Sequence, residues 1–165
     1  MNERWKVWSA VIAAAAAILF AVVWYYNLIQ RPLWDEQQAA RKLALEQTPI
    51  TEITSIETFS GAESYQIVFG TDEAGTEWIV WAGKEELHAE KADDGWARNQ
   101  IRLMMQENEP EAELIRIVPG VWKDEYVWEV YYLKRESRGK RHYYDYYRFS
   151  DGEKLTTLRL SLIPD

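Results

Sequence analysis

Cysteine is absent from the 165 residues of this chain, and histidine occurs only twice, as His88 and His142. Without cysteine there is no disulfide framework, no thiolate metal site and no cysteine nucleophile. We predict no metal site and no cofactor. His88 stands among glutamates, and we interpret this stretch as a solvated segment rather than as a set of metal ligands.

Basic residues are in deficit. The chain has 19 Lys and Arg against 27 Asp and Glu, a formal net charge of −8. Because nucleic-acid affinity comes mainly from cations that neutralise phosphates, we predict no nucleic-acid partner. The motifs of serine hydrolases, zinc peptidases, P-loop NTPases and EF-hands are missing as well. Nothing pairs a nucleophile with a base, so we predict that the protein is not an enzyme.

What the chain does have is an uncharged run of twenty residues, Val7 to Tyr26. At ~1.5 Å per residue, a helix of this length spans about 30 Å, the thickness of a bilayer's hydrocarbon. Small residues lie inside the run and not at a cut site after it, which favours a retained transmembrane anchor over a cleaved signal peptide. We expect the helix to stop at Pro32.

The residues around this run predict its orientation and one contact surface. Arg4 and Lys6 precede the span, so residues 1–6 are expected in the cytoplasm and the rest outside a cell membrane crossed once. Small residues recur every four positions within the span. Such a seam lets a partner helix approach closely, although an Ala-rich helix can contain the spacing by chance. The seam consists of Ser9, Ala13, Ala17 and Ala21.

The remainder of the chain reads as one unit written twice, at an offset of 61 residues. Each copy opens with a tryptophan and a segment of helical spacing, at 34–47 and at 96–108. Apolar positions of the helices and of the following strands correspond at the same offset. The corresponding pairs include Ala40 and Ile101, Ala44 and Met105, Ile53 and Leu114, Ile56 and Ile117, and Tyr65 and Tyr126.

The helical segment of each copy is followed by strand-like segments with short turns, such as Asp151-Gly152. This order predicts an α+β protein in which each unit is one helix packed on an antiparallel meander sheet. Asp93 and Asp94 are expected as turn residues that cap the second helix. The predicted order is an anchor at 7–26, a linker at 27–33, a first domain at 34–91 and a second at 92–165.

One strand of the second copy, RHYYDYYRF at 141–149, carries five aromatic residues in nine positions. Because alternate side chains of a strand point to opposite faces, both faces receive tyrosines. In the preceding strand, Tyr126, Trp128, Val130 and Tyr132 form the more apolar face, which we assign to the core. Neither face of the Tyr-rich strand is cleanly polar, so one set of side chains covers the helix and the other leaves at least two tyrosines on the open side. Our candidate partner-binding tyrosines are Tyr144 and Tyr146. The alternative is that they form cross-strand pairs that only stabilise the sheet, or that the neighbouring unit covers them.

A basic stretch, 134–141, precedes this strand and carries five positive charges. We expect it to form a hairpin loop, and we propose Arg138 and Lys140 as its binding residues. Such a loop could dock on anionic lipid, on anionic wall polymer or on an acidic partner. It could equally be a solvated tip.

Several short patterns resemble the TseB (YpmB) family of small membrane-anchored proteins. They are Glu57-Thr58-Phe59-x-Gly61, Tyr65-x-x-Val68-x-Gly70-Thr71-Asp72-x-x-Gly75-Thr76, Val80-Trp81 and Trp128-Glu129-Val130-x-Tyr132. The resemblance implies a protein with two tandem cystatin-like, PepSY-related domains outside the membrane. It also implies a regulator of cell-wall elongation that works with a penicillin-binding transpeptidase. The family has no catalytic motif to transfer.

The residues and the resemblance together predict a membrane-tethered, non-enzymatic regulator whose partner is a penicillin-binding protein. Two other functions stay open. One is a glycan- or teichoic-acid-binding domain that uses Tyr144, Tyr146 and the basic stretch, with anionic wall polymer as ligand. The other is a protease inhibitor of the PepSY type. The sequence does not predict an oligomeric state.

Overall fold

The computed structural model describes residues 3–84, 86–137 and 139–160. The chain divides after Ala39 into two compact units. The first unit is helical, and the second, from Ala40 onward, contains both sheets. Within the first helix, the side chains of residues 3–7, 9–11 and 27–33 lie outside the description.

Helix α1 runs without interruption from Glu3 to Gln47. The predicted stop at Pro32 is therefore wrong, and the predicted linker at 27–33 is helical. A proline inside a helix removes one hydrogen bond and costs about 3 kcal/mol. Good helix formers such as Ala, Leu and Gln flank it on both sides, and helix propagation through them is cooperative. The predicted end at Gln47 is confirmed.

No helix within the described side chains has both the length and the apolar character needed to cross a membrane.

The predicted span from Val7 to Tyr26 lies partly outside those side chains, at Val7 and at 9–11. From Ile12 to Tyr26, every side chain is exposed. Phe20, for example, is 73% exposed.

The rest of the chain forms two four-stranded antiparallel meanders, in the orders β1-β2-β3-β4 and β5-β6-β7-β8. A 3-10 turn at Ala92–Asp94 and helix α2, Arg98–Asn108, connect them. The α+β class and the antiparallel meanders are confirmed, whereas β4 was not predicted. Sheet 1 contains β1 Glu52–Ser60, β2 Ser64–Thr71, β3 Glu77–Ala82 and β4 Leu87–Lys91. Sheet 2 contains β5 Glu113–Trp122, β6 Glu125–Glu136, β7 Gly139–Arg148 and β8 Lys154–Arg159.

The strand registers show how far the two halves correspond. A bulge interrupts β1 between Ile53 and Ser55, and another interrupts β5 between Leu114 and Arg116, 61 positions later. The partner strands are offset by 62, because Ile56 pairs with Val68 whereas Ile117 pairs with Val130. The predicted correspondence of Tyr65 with Tyr126 is therefore wrong. A turn longer by one residue moves the counterpart of Tyr65 to Val127.

The end of α1 covers one face of sheet 1. Ala40 and Ala44 are buried there against Ile50, Val68 and Val80. The small alanine side chains let the helix backbone approach the sheet closely. This packing buries one face of the second unit's part of α1.

The other face of sheet 1 shares a larger core with sheet 2 and α2. Phe59 and Trp81 of sheet 1 belong to the same buried cluster as Trp128, Phe149 and Ile101. An open face on sheet 1 is therefore excluded. The sequence does not indicate this, because the contacts between the two sheets join residues that are far apart in the chain.

Both faces of strand β6 are buried near the middle of the strand. Trp128, Val130 and Tyr132 of the predicted core face are buried, as expected. Val127 and Glu129 of the opposite face are buried as well. The mixed composition of that face therefore did not mark it as exposed.

Two turns form as their residues predict. Between β2 and β3, Oδ1 of Asp72 accepts hydrogen bonds from the backbone N–H groups of Ala74 and Thr76, each at 2.9 Å. Between β7 and β8, Gly152 has a φ of +70°, and a Cβ there would lie 2.4 Å from the ring of Trp96. Trp96 lies before the first residue of α2, whereas Trp34 lies inside α1.

The capping prediction for α2 is wrong. Asp93 and Asp94 belong to the 3-10 turn, and α2 begins only at Arg98. Gln100 supplies the capping contact instead, since its Oε1 accepts a 2.7 Å hydrogen bond from the N–H of Ala97.

Candidate functional site

Three stacked rings lie on the outer face of sheet 2, and we call Tyr131, His142 and Tyr144 the aromatic ladder. The ring of Tyr131 stacks on Tyr144 at 4.7 Å and on His142 at 5.7 Å, with interplanar angles of 16° and 11°. The Tyr131 hydroxyl lies 2.5 Å from Nδ1 of His142, within hydrogen-bonding distance. His142 is exposed, and both tyrosines are half-buried. The predicted open-face tyrosine Tyr144 is thus part of an accessible surface.

Tyr146, the second predicted tyrosine, is only 5% exposed, so the expectation that it lies open to a partner is wrong. Its ring stacks on Trp122 of the edge strand at 4.5 Å. Its hydroxyl donates a 2.9 Å hydrogen bond to Glu129. Alternation placed Tyr146 on the correct face, but it did not reveal that Trp122 covers this part of the face.

Glu129, on the same strand face as Tyr131, is a buried carboxylate. Its side chain is 3% exposed, and Arg116 donates to it through Nη2 at 2.6 Å. The Tyr146 hydroxyl is a second donor. A buried charge needs such partners, because burial without them is costly. Burial and the neighbouring Glu129 raise the pKa of the Tyr146 hydroxyl well above its usual value.

Tyr144 of the ladder stays a neutral donor at physiological pH. Burial, and then the neighbouring Tyr131, raise the pKa of Tyr144 above its usual value. Arg116 opposes this shift weakly, since it lies near enough to favour a tyrosinate. Arg116 pairs across the strands with Tyr131, so the ladder is bordered by a cation.

The basic stretch at 134–141 does not form an extended loop. Strand β6 continues to Glu136 and β7 begins at Gly139, so most of the predicted loop is a two-stranded hairpin. Nζ of Lys134 lies 2.6 Å from Glu109, and Nζ of Lys140 lies 2.5 Å from Glu113. The sequence did not show that glutamates distant along the chain would pair with these cations. Arg138 lies outside the described residues.

The predicted seam on α1 is only partly described. Ala13, Ala17 and Ala21 are exposed. The side chain of Ser9 lies outside the described residues.

A second feature, which we call the arginine groove, lies where β1, α2 and β5 meet. It has a volume of about 470 Å³. Arg116 borders both this groove and the aromatic ladder, so the two features form one continuous surface. The groove is lined by Glu57 and Thr58 of β1, Arg98 and Arg102 of α2, and Ile115, Arg116, Ile117 and Val118 of β5.

Arg98 is held in place on several sides. Its Nη2 lies 2.9 Å from both carboxylate oxygens of Glu57. Its guanidinium also lies over the rings of Phe69 and Trp128, at 5.1 and 5.5 Å from their centroids. Arginine stacks well on aromatic faces because its charge is planar and weakly hydrated. A neighbouring cleft of about 350 Å³, which includes Trp78 among its lining residues, shares Arg98 and Glu57 with the groove.

The charges of the groove leave a surplus of one cation. Glu57 and Glu129 each pair with one arginine, Arg98 and Arg116. Arg102 is exposed, and its guanidinium has no ion-pair partner among the described residues. The groove is therefore a positive spot on a chain whose net charge is −8.

The groove also lies between two unpaired strand edges. Strand β1 is the outer strand of sheet 1, and β5 is the outer strand of sheet 2. They lie against each other. Among the described residues, no backbone hydrogen bond joins them.

The other histidine belongs to the structure and not to a solvated segment. His88 lies in β4, and its ring stacks on Tyr126 with centroids 3.8 Å apart and planes 7° apart. Its Nε2 is 2.6 Å from Glu90. The described residues contain no group of three or more His, Asp or Glu side chains arranged to hold a metal ion.

Sequence reasoning missed the arginine groove. Arg98 and Arg102 stand four residues apart, a spacing that places two side chains on one face of a helix. That spacing is visible in the sequence, but it does not by itself predict a groove. The position of Arg116 beside them depends on the packing of α2 on β5, which no local pattern shows.

Comparison with known proteins identifies what the chain is similar to. A family model described as "Cell wall elongation regulator TseB-like domain" matches residues 39–82. The probable cell wall elongation regulator TseB of Bacillus subtilis (strain 168) is 24% identical over 139 residues, which cover 82% of this chain and 85% of that protein. The structure of the YpmB protein from Bacillus subtilis matches with a TM-score of 0.65 and 22% identity, over 74% of this chain and 96% of the other. The predicted resemblance to the TseB/YpmB family is confirmed.

Proposed function

We propose that the protein is a non-enzymatic, membrane-anchored regulator of cell-wall elongation that binds a penicillin-binding transpeptidase outside the membrane. One observation carries this proposal. The chain is similar over 82% of its length to a protein named as a probable cell wall elongation regulator. The described residues add a surface suited to binding a protein.

The regulator has two tandem PepSY-related, cystatin-like domains, at 34–91 and 92–165, in this proposal. Both sheets are four-stranded meanders, and the bulges of their first strands recur 61 positions apart. The shared core of Phe59, Trp81, Trp128 and Phe149 supports a fixed arrangement of the two domains. A fixed arrangement suits a surface that combines residues from both.

The anchor is residues 7–26, with residues 1–6 in the cytoplasm. Fifteen consecutive side chains, from Ile12 to Tyr26, are exposed, and none of them carries a charge. Water is a poor solvent for such a surface, and lipid is a good one. Anchoring would confine regulator and transpeptidase to one membrane, which raises their effective concentration without any additional contact.

The docking surface is the aromatic ladder together with Arg116. Tyrosine and arginine are the residues that most often dominate binding energy in protein interfaces. The stacked rings of Tyr131, His142 and Tyr144 are already ordered in the free chain, so little side-chain freedom remains to be lost on binding. Lys140 contributes less, because Glu113 already pairs with it.

The test is recovery of a penicillin-binding protein with the tagged full-length chain from detergent-solubilised membranes. A fluorescent penicillin identifies such proteins among those recovered. Two variants separate the contacts: Tyr144→Ala combined with His142→Ala removes most of the ladder, and exchange of residues 7–26 for an unrelated membrane span removes the helix. Trp34→Ala is the matched control, since Trp34 is an exposed aromatic residue outside the ladder.

We expect the penicillin-labelled protein with the unchanged chain, with Trp34→Ala and after helix exchange, but not with the ladder variant. Loss only after helix exchange would move the contact to α1 and reject the ladder. Absence of any penicillin-labelled protein from the unchanged chain would reject the proposed partner.

A second function, binding of wall glycan or teichoic acid, is favoured by one observation. Flat, parallel aromatic rings beside a cation can stack on sugar rings and pair with phosphate. Co-sedimentation of the full-length chain with purified wall tests it. This alternative predicts sedimentation that the Tyr144→Ala and His142→Ala combination abolishes, whereas the regulator proposal predicts that the chain stays in solution.

A further inference from the structure

The arginine groove has features that the proposed function does not use. Arg102 is exposed, and Arg98 and Arg116 are held in place by glutamates. The hydrogen bonds that the described residues make with these two arginines use only Nη2. A guanidinium has five N–H donors, so each arginine can still bind a carboxylate.

The edge of β5 adds a second element. Alternate backbone groups of an edge strand point away from its neighbour, where an extended peptide can pair with them. Strands β1 and β5 touch where Phe59 packs on Gly120, and the groove lies beside that contact. Residues 115–118 of β5 line it, and the exposed ones are Ile115 and Arg116.

Ile115 is a third element. It lies at the bulge of β5 and is 49% exposed. An exposed apolar side chain between arginines gives a peptide's own apolar side chain a place to pack. The volume of the arginine groove, about 470 Å³, lies within the range of ligand-binding clefts, roughly 300–1,000 Å³.

We infer that the arginine groove binds an extended, acidic polypeptide segment, which adds as a strand to the edge of β5. Its carboxylates pair with Arg98, Arg102 and Arg116, and an apolar residue of the segment packs on Ile115. The proposed transpeptidase partner is identified as the source of this segment only through the proposed function. The inference that the groove binds such a segment does not rest on that function.

A phosphodiester polymer would pair with the same arginines, but it would leave the β5 edge and Ile115 unused. A peptide uses all three elements, because it supplies charge, an apolar side chain and backbone hydrogen bonds. The observations therefore favour a polypeptide ligand, and the polymer is an outcome that the experiment can detect.

The experiment measures binding of a labelled peptide to the full-length chain in detergent micelles by fluorescence anisotropy. The probe is a short peptide of alternating Glu and Val with blocked ends. Three comparison ligands accompany it: the same peptide with Lys in place of Glu, the same peptide with alternate backbone nitrogens methylated, and a glycerol-phosphate polymer. Arg102→Glu and Ile115→Asp are the test variants, and Arg41→Glu is the matched control on α1, outside the groove.

We expect the Glu–Val peptide to bind, and Arg102→Glu to weaken it about tenfold or more, which corresponds to the loss of one charge-assisted hydrogen bond. Ile115→Asp should weaken it similarly, and Arg41→Glu should change it less than twofold. The methylated peptide should bind about tenfold more weakly, because it cannot donate to the strand edge. Hydrogen exchange at Ile115 and Arg116 should slow when the unmodified peptide is added.

Equal binding of the Lys peptide, or no binding of the Glu–Val peptide, would overturn the inference. So would a glycerol-phosphate polymer that binds in competition with the peptide while methylation has no effect, since the groove would then be an anion site. If Arg102→Glu abolishes peptide binding but leaves recovery of the penicillin-binding protein unchanged, the partner's segment binds elsewhere. Peptide binding without any recovered penicillin-binding protein would reject the proposed function but would still support the arginine groove as a peptide-binding site.

Discussion

The ring of Phe59 lies where a side chain at Gly120 would be. A Cβ at Gly120 would come within 2.4 Å of two atoms of that buried ring. Phe59 belongs to β1 and Gly120 to β5, and they occupy positions 61 residues apart in the two halves of the sequence. The two sheets therefore meet at a point where one half has a phenylalanine ring and the other has no side chain.

Gly120→Ala should destabilise the protein by about 1–3 kcal/mol, because the added methyl group overpacks a closed core. Chemical denaturation of the unchanged and substituted chains measures the loss. Phe59→Leu combined with Gly120→Ala should recover part of it, since a smaller side chain makes room. Strictly additive effects of the two substitutions would contradict a direct contact.

The location of the main elements could be predicted from the sequence, because their signals are local. Alternation and turn residues such as Asp72 and Gly152 define the strands they border, and apolar spacing indicates the helix around Ile101. The continuation of α1 through Pro32 could not be predicted, because the local preference of one proline was overridden by helix formers on both sides. The coverage of sheet 1 on both faces depends on contacts such as Phe59 with Gly120, which join distant parts of the chain.

The candidate site was less predictable, for the same reason. The strand pattern correctly brought Tyr144 to the outer face, but it treated Tyr146 as equivalent. The difference arises from Trp122, which lies two strands away and covers only Tyr146. Likewise, a run of basic residues does not show that Glu113 pairs with Lys140.

The two tyrosines should respond differently to removal of their hydroxyl groups. Tyr146→Phe removes a donor to the buried Glu129 and should cost about 1–3 kcal/mol of unfolding free energy. Tyr144→Phe should change stability by less than about 0.5 kcal/mol, since the described residues form no hydrogen bond with its hydroxyl. Thermal and chemical denaturation of both variants measure the difference. Equal losses would contradict the assignment of Tyr146 to the structure and of Tyr144 to the surface.

The Asp72 carboxylate should give a pH-dependent contribution to stability. The hydrogen bond from Nε1 of Trp78, and then one from the backbone of Thr76, lower the pKa of Asp72 below its usual value. A lowered folded-state pKa means that the contribution is complete above the unfolded pKa of about 3.9 and is lost as the pH falls through the folded pKa. Asp72→Asn should therefore be less stable than the unchanged chain at pH 7.

The difference in unfolding free energy between Asp72→Asn and the unchanged chain should shrink below about pH 4. Denaturation curves across that pH range test whether the difference shrinks as the pH falls. A difference that stays constant from neutral to acidic pH would show that the charge of Asp72 makes no contribution.

The alanine seam of α1 predicts a separate effect on helix association. Ala17→Leu places a large side chain on the seam of the proposed membrane span and should weaken recovery of a helix that packs there, while the penicillin-binding protein held by the ladder is still recovered. Leu19→Ala leaves the seam unchanged. Co-purification with the unchanged full-length chain and with each of the two variants gives the comparison. Equal recovery with both variants would reject the seam as a contact.

Site-specific photocrosslinking in intact membranes tests the central claim most directly. A photoreactive phenylalanine analogue replaces Tyr144 in one full-length chain and Glu73, an exposed turn residue of sheet 1, in another. The account predicts that the crosslinker at position 144 captures a protein labelled by fluorescent penicillin and that the one at position 73 does not. Capture from position 73 alone, or no labelled protein from position 144, would contradict a regulator that docks through the aromatic ladder.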